Sequence, residues 1–563
     1  MRNKLKAGTA ILLAMILVVV AAACSDGRTA SDKSANMPDS SPSGQEEGSE
    51  TKPEESAQPI DPLSQYDPPI EVTTVRAFDD SFKFVEGESL DDNIVLDLFR
   101  EDMGIIWKNQ WSAKNYAEKL NLAIASKDLP DIFMVDAAQF KELSEAGLLE
   151  DLSDIYEEYA TDIVKEAFGY MDGVGLKMGS YKDRLYGLPE TRDTTGKPNM
   201  LWIRKDWLDN LGLEVPESID DVISVAKAFA ELDPDQNGTA KDKLGIMATI
   251  GLFDSTGVGA LDAFAAAYGA YPGKWVKTDS GELAFGSVQP QMKTVLEKAH
   301  ELYASGALDR EFALKDGGKA IEDVIAGKIG MFYAPFWAPY WPIKDSMLND
   351  PKADWIAVPP PPGPSGDIGV PETQFAFHWF VVRKGYEHPE AIVKAINYWY
   401  DLTMDTGSRY EKFAELEREK YKDMGLGNYF TLYTSLPDIN MRIALQLLEA
   451  EKSNDASKLS PAAKKTWDVM QVEGIDGELN RMVFLEGASI VKDMRRVLDE
   501  FYGSPTKTMA QKDAALGKLI VETYTKIIMG DEPISEFDAM VAKWKEIGGE
   551  QVTREVNEWA NAK

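Results

Sequence analysis

The residues best suited to chemistry in this 563-residue chain lie in one decapeptide, Asp233-Pro-Asp-Gln-Asn-Gly-Thr-Ala-Lys-Asp242. Oxygen-bearing side chains alternate at Asp233, Asp235 and Asn237, so a curled loop points all three at one ion. Gly238 then permits the sharp turn that an EF-hand loop makes at its sixth position. Calcium takes about six to eight oxygens, and the Thr239 carbonyl and Asp242 are the expected additions. Position twelve is Leu244 and not a bidentate Glu, which argues for a structural Ca2+ staple over a signalling EF-hand. The alternative is a solvated Asp/Asn/Gly turn after a helix.

No catalytic signature accompanies this loop. There is no Gly-x-Ser-x-Gly elbow, no Walker A loop, no Gly-x-Gly-x-x-Gly opening a helix and no His-Glu-x-x-His. The histidines, His300, His378 and His388, are far apart in sequence, and the one cysteine, Cys24, excludes an intrachain disulfide and a cysteine-based zinc site. With 94 acidic against 60 basic residues the formal net charge is −34. That argues against a nucleic-acid partner, which needs clustered Lys and Arg. At this density acidic pairs arise by chance, so a surface glycoside hydrolase or lyase using two carboxylates stays open as an alternative to a non-enzyme.

The elements that must position these residues fall into segments. The length suggests about two domains or lobes, and 44% apolar residues can fill their cores. Residues 1–23 read as a signal peptide: Arg2, Lys4 and Lys6 precede an apolar run ending in Ala21-Ala22-Ala23. Cys24 follows directly, as in a bacterial lipobox, where a diacylglycerol is attached to the cysteine; ordinary Ala-x-Ala cleavage is the alternative. Residues 24–66 form a tether rich in Ser, Asp, Glu, Pro and Gly. Such a segment buries too little apolar surface to order itself, and as a coil it reaches roughly 35 Å. Strands at 71–78, 104–107 and 128–136 alternate with helices at 93–103, 114–126, 137–146 and 151–168, which implies a parallel α/β sheet. Strand-like pieces at 184–189 and 200–204 mark a first crossing between lobes. Beyond the loop, helices at 261–269, 290–305, 320–327 and 388–400 accompany strands at 283–285, 328–333 and 374–382. From 412 to 563 the pattern is nearly all helical.

The chain resembles the extracellular solute-binding lipoproteins (family 1) of Gram-positive carbohydrate ABC importers, and is similar to maltose-binding and alginate-oligosaccharide-binding proteins. The resemblance rests on Leu129-Pro-Asp-Ile-Phe133, Leu185-Tyr-Gly-Leu-Pro189, Leu201-Trp-Ile-Arg-Lys-Asp-Trp-Leu208 and Leu211-Gly-Leu-Glu-Val-Pro216. It continues in the 233–242 loop, Leu302-Tyr-Ala-Ser-Gly-Ala-Leu-Asp309, Gly327-Lys-Ile-Gly-Met-Phe332, Thr525-Lys-Ile-Ile-Met-Gly530 and Trp544-Lys-Glu-Ile-Gly-Gly549. In the alginate-binding relatives the corresponding loop holds calcium; here it carries one extra residue before Asp242. The resemblance implies an α/β, two-lobed, periplasmic-binding-protein-like (type II) fold with a helix-rich C-terminal region. The expected lobes are 67–200 with 371–411, and 201–370 with 412–563.

It also implies a non-catalytic receptor, lipid-anchored on the extracellular face. The receptor would be monomeric, closing on an oligosaccharide and delivering it to the membrane subunits of an ABC permease. A non-catalytic adhesion lipoprotein is the further alternative. Sugars stack on aromatic faces while planar polar groups take their hydroxyls, and this guides the choice of ligand residues. Trp337 and Trp341 lie in the loop that presents an aromatic to sugar in the maltose-binding family, or else they pack that loop. Trp107 and Trp111 follow the second strand, with core packing equally open. Trp202 and Arg204 lie at the first crossing, with Glu190 and Arg192 just before it; Arg204 fixes a hydroxyl or carboxylate, or forms a structural ion pair. Asp136 faces the cleft or caps the next helix. Of His378 and Trp379, one faces inward by alternation, and Trp379 is counted with the ligand residues. The bulk charge favours a neutral sugar, while Arg192, Arg204 and Lys205 would admit a uronate.

Overall fold

The computed structural model describes residues 60–78, 82–194, 198–253, 257–364, 366, 368–372, 376–421 and 426–562. The signal peptide, Cys24 and nearly all of the tether lie outside the described residues. Residues from Ile60 onward form one compact unit. Among the described residues no helix is long and apolar enough to cross a membrane.

In the first half, Ile70–Ala77 pairs in parallel with Ile105–Ala113, and the helix between them is Ile94–Met103. Asn93 caps that helix by accepting from the Val95 and Leu96 N–H groups, and Gly104 ends it at φ 65. Beside this pair is a three-stranded sheet ordered Ile132–Asp136, Ala376–Val382, Gly187–Thr191, with the middle strand antiparallel to both. Asp131 ties the two together. Its Oδ2 accepts from the Thr73 N–H (2.8 Å) and hydroxyl (2.6 Å), while Oδ1 accepts from Arg383 Nε (2.8 Å). The single helix expected over 151–168 is two, Ser153–Tyr159 and Asp162–Phe168. Ala160 is extended, and the Thr161 N–H and hydroxyl both donate to Asn397 Oδ1.

The second half holds a four-stranded sheet ordered Trp355–Val358, Met200–Arg204, Ile329–Ala334, Leu244–Ile246. Side chains alternate between two cores. Leu201, Ile203, Met331 and Tyr333 pack with helices Ile219–Glu231 and Gln291–Ser305. Met200, Trp202, Phe332 and Ala334 pack with residues of Ile439–Ser453 and the segment from Ile475 to Val491. A sheet covered on both faces needs apolar residues at every position, and these strands supply them. Gly330 has no room for a side chain, since a Cβ there would sit 2.2 Å from the Phe229 ring. The tail helices Met509–Met529 and Glu536–Trp544 join the first of these cores.

The two-lobed α/β fold is as expected. Phe413, Tyr421, Leu426, Tyr429, Phe430, Leu432 and Leu436 belong to the core of the first half with Phe99, Trp107 and Trp399. The segment 413–436, which the expected lobe bounds give to the second half, thus contributes side chains to the first-half core. Helical periodicity reports only that a segment has an apolar face, not which core receives it.

Because Asp131 gathers three segments of the first half through charge-assisted bonds, Asp131→Ala is expected to lower the unfolding free energy by about 2–3 kcal/mol. Urea denaturation followed by tryptophan fluorescence checks this; a loss below about 0.5 kcal/mol would remove Asp131 from that role.

Candidate functional site

Where strands end, side chains escape the two-sided packing. Ile70–Ala77 and Gly187–Thr191 finish near the first crossing, and the 426–436 segment returns to the same place. A cavity of about 120 Å³ opens there, lined by Arg76, Phe82, Tyr116, Glu190, Arg192 and Tyr433 among others. A neighbouring cavity of about 440 Å³ shares Arg192 and Tyr433 and extends to Trp399, Tyr410 and Asn440. The Arg192 guanidinium lies 4.8 Å from the centroid of the Tyr433 ring.

Glu190 organises the polar side of this site. Its side chain is buried; Oε1 accepts from Arg192 Nε (2.7 Å) and Oε2 meets His378 Nδ1 (3.1 Å). Burial pushes the carboxyl up, but the His378 hydrogen bond and the Arg192 charge and hydrogen bond outweigh it and hold Glu190 below the usual carboxylate range. Beneath it the crossings are laced to each other. The hydroxyls of Thr191 and Thr434 lie 2.7 Å apart, Ser435 N–H donates to the Thr191 carbonyl, Thr194 N–H to that of Pro437, and Asn440 N–H to Asp193 Oδ2 (2.8 Å).

Of the residues expected at the ligand, Glu190 and Arg192 are brought together here. The other eight line neither cavity. Trp202 is fully buried and donates its Nε1–H to the Pro335 carbonyl. Trp107 packs edge-on to Phe99 and Phe430. Trp379 points to the face opposite His378, where it packs on Phe140 and donates to the Gly175 carbonyl. Arg204 is 1% exposed and forms ion pairs with Asp206 (2.6 Å) and Asp350 (2.9 Å) between the rings of Trp207 and Trp355. Its guanidinium is thus engaged in ion pairs, one of the two roles the sequence allows it. Asp136 caps helix Ala137–Glu145 with a complete capping box. Trp111 is half-buried, with Lys119 Nζ 4.7 Å from its ring. Trp337 and Trp341 lie in the second half: Trp337 packs against the core, while Trp341 is 44% exposed beside Tyr340, whose hydroxyl bonds Asn480. Tyr433, Arg76 and Tyr116 were not anticipated. Tyr433 lay in the segment given to the other lobe, and nothing in the local pattern marks it.

The oxygen-rich loop is curled as its sequence implies. Asp233 accepts from the Asn237 N–H (3.0 Å) and Gly238 N–H (2.9 Å), and Gly238 has φ 88. The donor set is of the hard oxygen type that calcium takes, and Asp235 Oδ1 is a buried oxygen with no hydrogen-bond partner. In type, the residues fit the ion. Yet among the described residues no group of three or more Asp, Glu, His or Cys converges as a metal site. Lys243 stands between Asp235 and Asp242 instead.

A sequence profile of the family described as bacterial extracellular solute-binding protein matches residues 103–401. Lipoprotein LipO of Bacillus subtilis (strain 168) is 25% identical over 456 residues, covering 79% of this chain and 84% of LipO. The solved S. pneumoniae ABC-transporter substrate-binding protein FusA in complex with kestose aligns with TM-score 0.57 and 17% identity. That alignment covers 88% of this chain and 100% of FusA. The alginate-binding protein AlgQ2, solved without calcium ion, aligns with TM-score 0.56 and 16% identity, over 88% of this chain and 99% of AlgQ2. At these identities the two structures establish the two-lobed fold alone.

Two outcomes follow from the geometry. Removing the Arg204 side chain leaves two carboxylates facing each other, so Arg204→Ala should cost about 3 kcal/mol in urea denaturation; ligand affinity of the folded protein should not change. Glu190, held below its unfolded value, contributes stability that is present above the ordinary carboxylate range and lost as pH falls through it, near 4.5 and below. Glu190→Gln should therefore flatten the fall in melting temperature between about pH 5 and 3; an unchanged acid limb would remove Glu190 from it.

Proposed function

The chain belongs to the bacterial extracellular solute-binding proteins, and from that membership we propose that it is the capture subunit of an ABC importer whose ligand is an oligosaccharide. The observation that carries the reading is the site where the crossings meet. There an aromatic face, Tyr433, lies beside planar hydrogen-bonding groups, Arg192 and Glu190, in a cavity open enough for a chain of sugar rings. Hydroxyls take bidentate bonds from a guanidinium and give them to a carboxylate, while the ring faces stack. FusA was solved with kestose, a fructooligosaccharide, in a chain of the same fold, which supports a carbohydrate ligand.

Function follows from closure of the two halves about the laced crossings. The open form admits the ligand to Arg192 and Tyr433. Closure brings the second half, with Trp341 exposed on it, onto the ligand's other face. The equilibrium shifts only by the difference in ligand affinity between the two forms. The closed form then docks on the permease, whose ATPase supplies the energy. No bond is made or broken in the ligand, and the chain acts as a receptor, not an enzyme. Cys24 carries the lipid, and the tether holds the receptor at the outer face of the membrane, a placement supported by the likeness to lipoprotein LipO. Calcium, when bound, would staple the 233–242 loop through oxygens of Asp233, Asp235, Asn237, Thr239 and Asp242.

Isothermal titration of the chain from residue 25 with kestose and with oligouronates tests this. Saturable binding of one class is expected, with no product formed. Arg192→Ala and Tyr433→Ala should each weaken it about tenfold or more. Turnover of the glycan would overturn the receptor reading. Binding indifferent to both substitutions would overturn the site.

A further inference from the structure

The 233–242 loop already contains a cation. Lys243 Nζ lies 2.8 Å from Asp235 Oδ2 and 2.7 Å from Asp242 Oδ2, and its side chain is 8% exposed. A lysine ammonium is rarely withdrawn from water to this degree unless it is paired. The same two carboxylate oxygens also accept from Asn237 Nδ2, at 3.0 Å each, while Asn237 Oδ1 takes the Thr239 N–H at 2.7 Å. Both oxygens of Asp233 are engaged by main-chain N–H groups. Most of the side-chain oxygens that would surround a metal are therefore already bonded, and the point where two carboxylates converge holds an ammonium. One oxygen, Asp235 Oδ1, remains buried and unpartnered, so a stronger cation retains something to gain.

The placement has structural weight. The loop joins helix Ile219–Glu231 to strand Leu244–Ile246, and Lys243 is the residue just before that strand. Asn210 Nδ2 donates to the Pro234 carbonyl (2.8 Å) and fastens the loop's start to helix Lys205–Leu211. Whatever neutralises Asp235 and Asp242 therefore fixes the register in which the strand enters the sheet.

We propose that Lys243 is a built-in counter-ion that closes this loop without metal, and that a divalent cation enters only by displacing the ammonium. Two cation states then share one loop. The ammonium state keeps the fold independent of calcium, and the competition weakens calcium affinity by whatever the two carboxylate contacts are worth. This holds whichever ligand the cleft takes.

The test compares the native protein with Lys243→Met, which keeps the apolar stem and removes the charge, and with Lys243→Gln in case Met impairs folding. Calcium binding is followed by calorimetry, and melting temperature is measured in EDTA and in millimolar calcium. The native protein is expected to melt at the same temperature in both. The Lys243 variant should melt lower in EDTA, recover in calcium and bind calcium about tenfold tighter or more than the native chain. Asp235→Asn should abolish the calcium response of the variant. A variant that binds calcium no more tightly than the native protein overturns the proposal. So does a native protein that loses stability in EDTA, because the ammonium would then not be closing the loop.

Discussion

A strand packed on both faces has no side chain left for a ligand. That constraint governs this molecule. Trp202 sits mid-strand in a sheet covered by helices on each side, and Trp379 has the same fate in the other half. Large aromatic rings fill the volume between layers, where each buries more surface than any aliphatic side chain. Recognition is thereby pushed to the strand ends and to the segments that leave one half for the other. Glu190, buried near the end of Gly187–Thr191, and Arg192, just past it, stand where the strand stops.

The crossings themselves are bound to one another before they are bound to either half. Thr191 and Thr434 share a hydroxyl contact, and Ser435, Thr194 and Asn440 add bonds between the same two passages. Two passages laced in this way would bend together, so the closure proposed above would be a rotation of halves about one strip and not independent motion of loops. Glu190 and Arg192 sit on that strip. A ligand that engages them touches the hinge and the first half at once, so its binding energy is available to favour one rotation over another.

The sequence made the architecture legible because its signals were local. Local pattern located strands near Ile70–Ala77 and Met200–Arg204, and Asp136 read as one candidate helix cap. The loop of Asp233, Asp235 and Asn237 declared its curl through Gly238. The site was less legible because its signals are not local. Arg204 and Arg192 are both arginines beside a crossing, but Arg204 finds Asp350 far along the chain while Arg192 finds Tyr433. Only the fold chooses between those fates. Lys243 illustrates the same point at short range. Asp235 and Asp242 read as calcium ligands, and here the residue after Asp242 places an ammonium between them.

The charge excess has a structural reading as well. Some cations of the second half are each held by two carboxylates: Arg204 by Asp206 and Asp350, Lys243 by Asp235 and Asp242, Lys315 by Asp309 and Asp323. The Arg204 and Lys243 clusters each leave one carboxylate charge in excess, whereas Lys328 also pairs with Asp323 and balances the third. Their positions are not scattered. Arg204 is paired in register with Trp355, and Leu244, which follows Lys243, with Ile329. Asp323, shared by Lys315 and Lys328, holds the approach to that last strand. These are all at one end of the four-stranded sheet. The other end, at Met200 and Ala334, leads to the crossing and to the Pro335–Trp341 segment. One end of the sheet is lined by ion clusters, and the other by apolar and aromatic residues. Arg204 stands at the end of the four-stranded sheet opposite Met200.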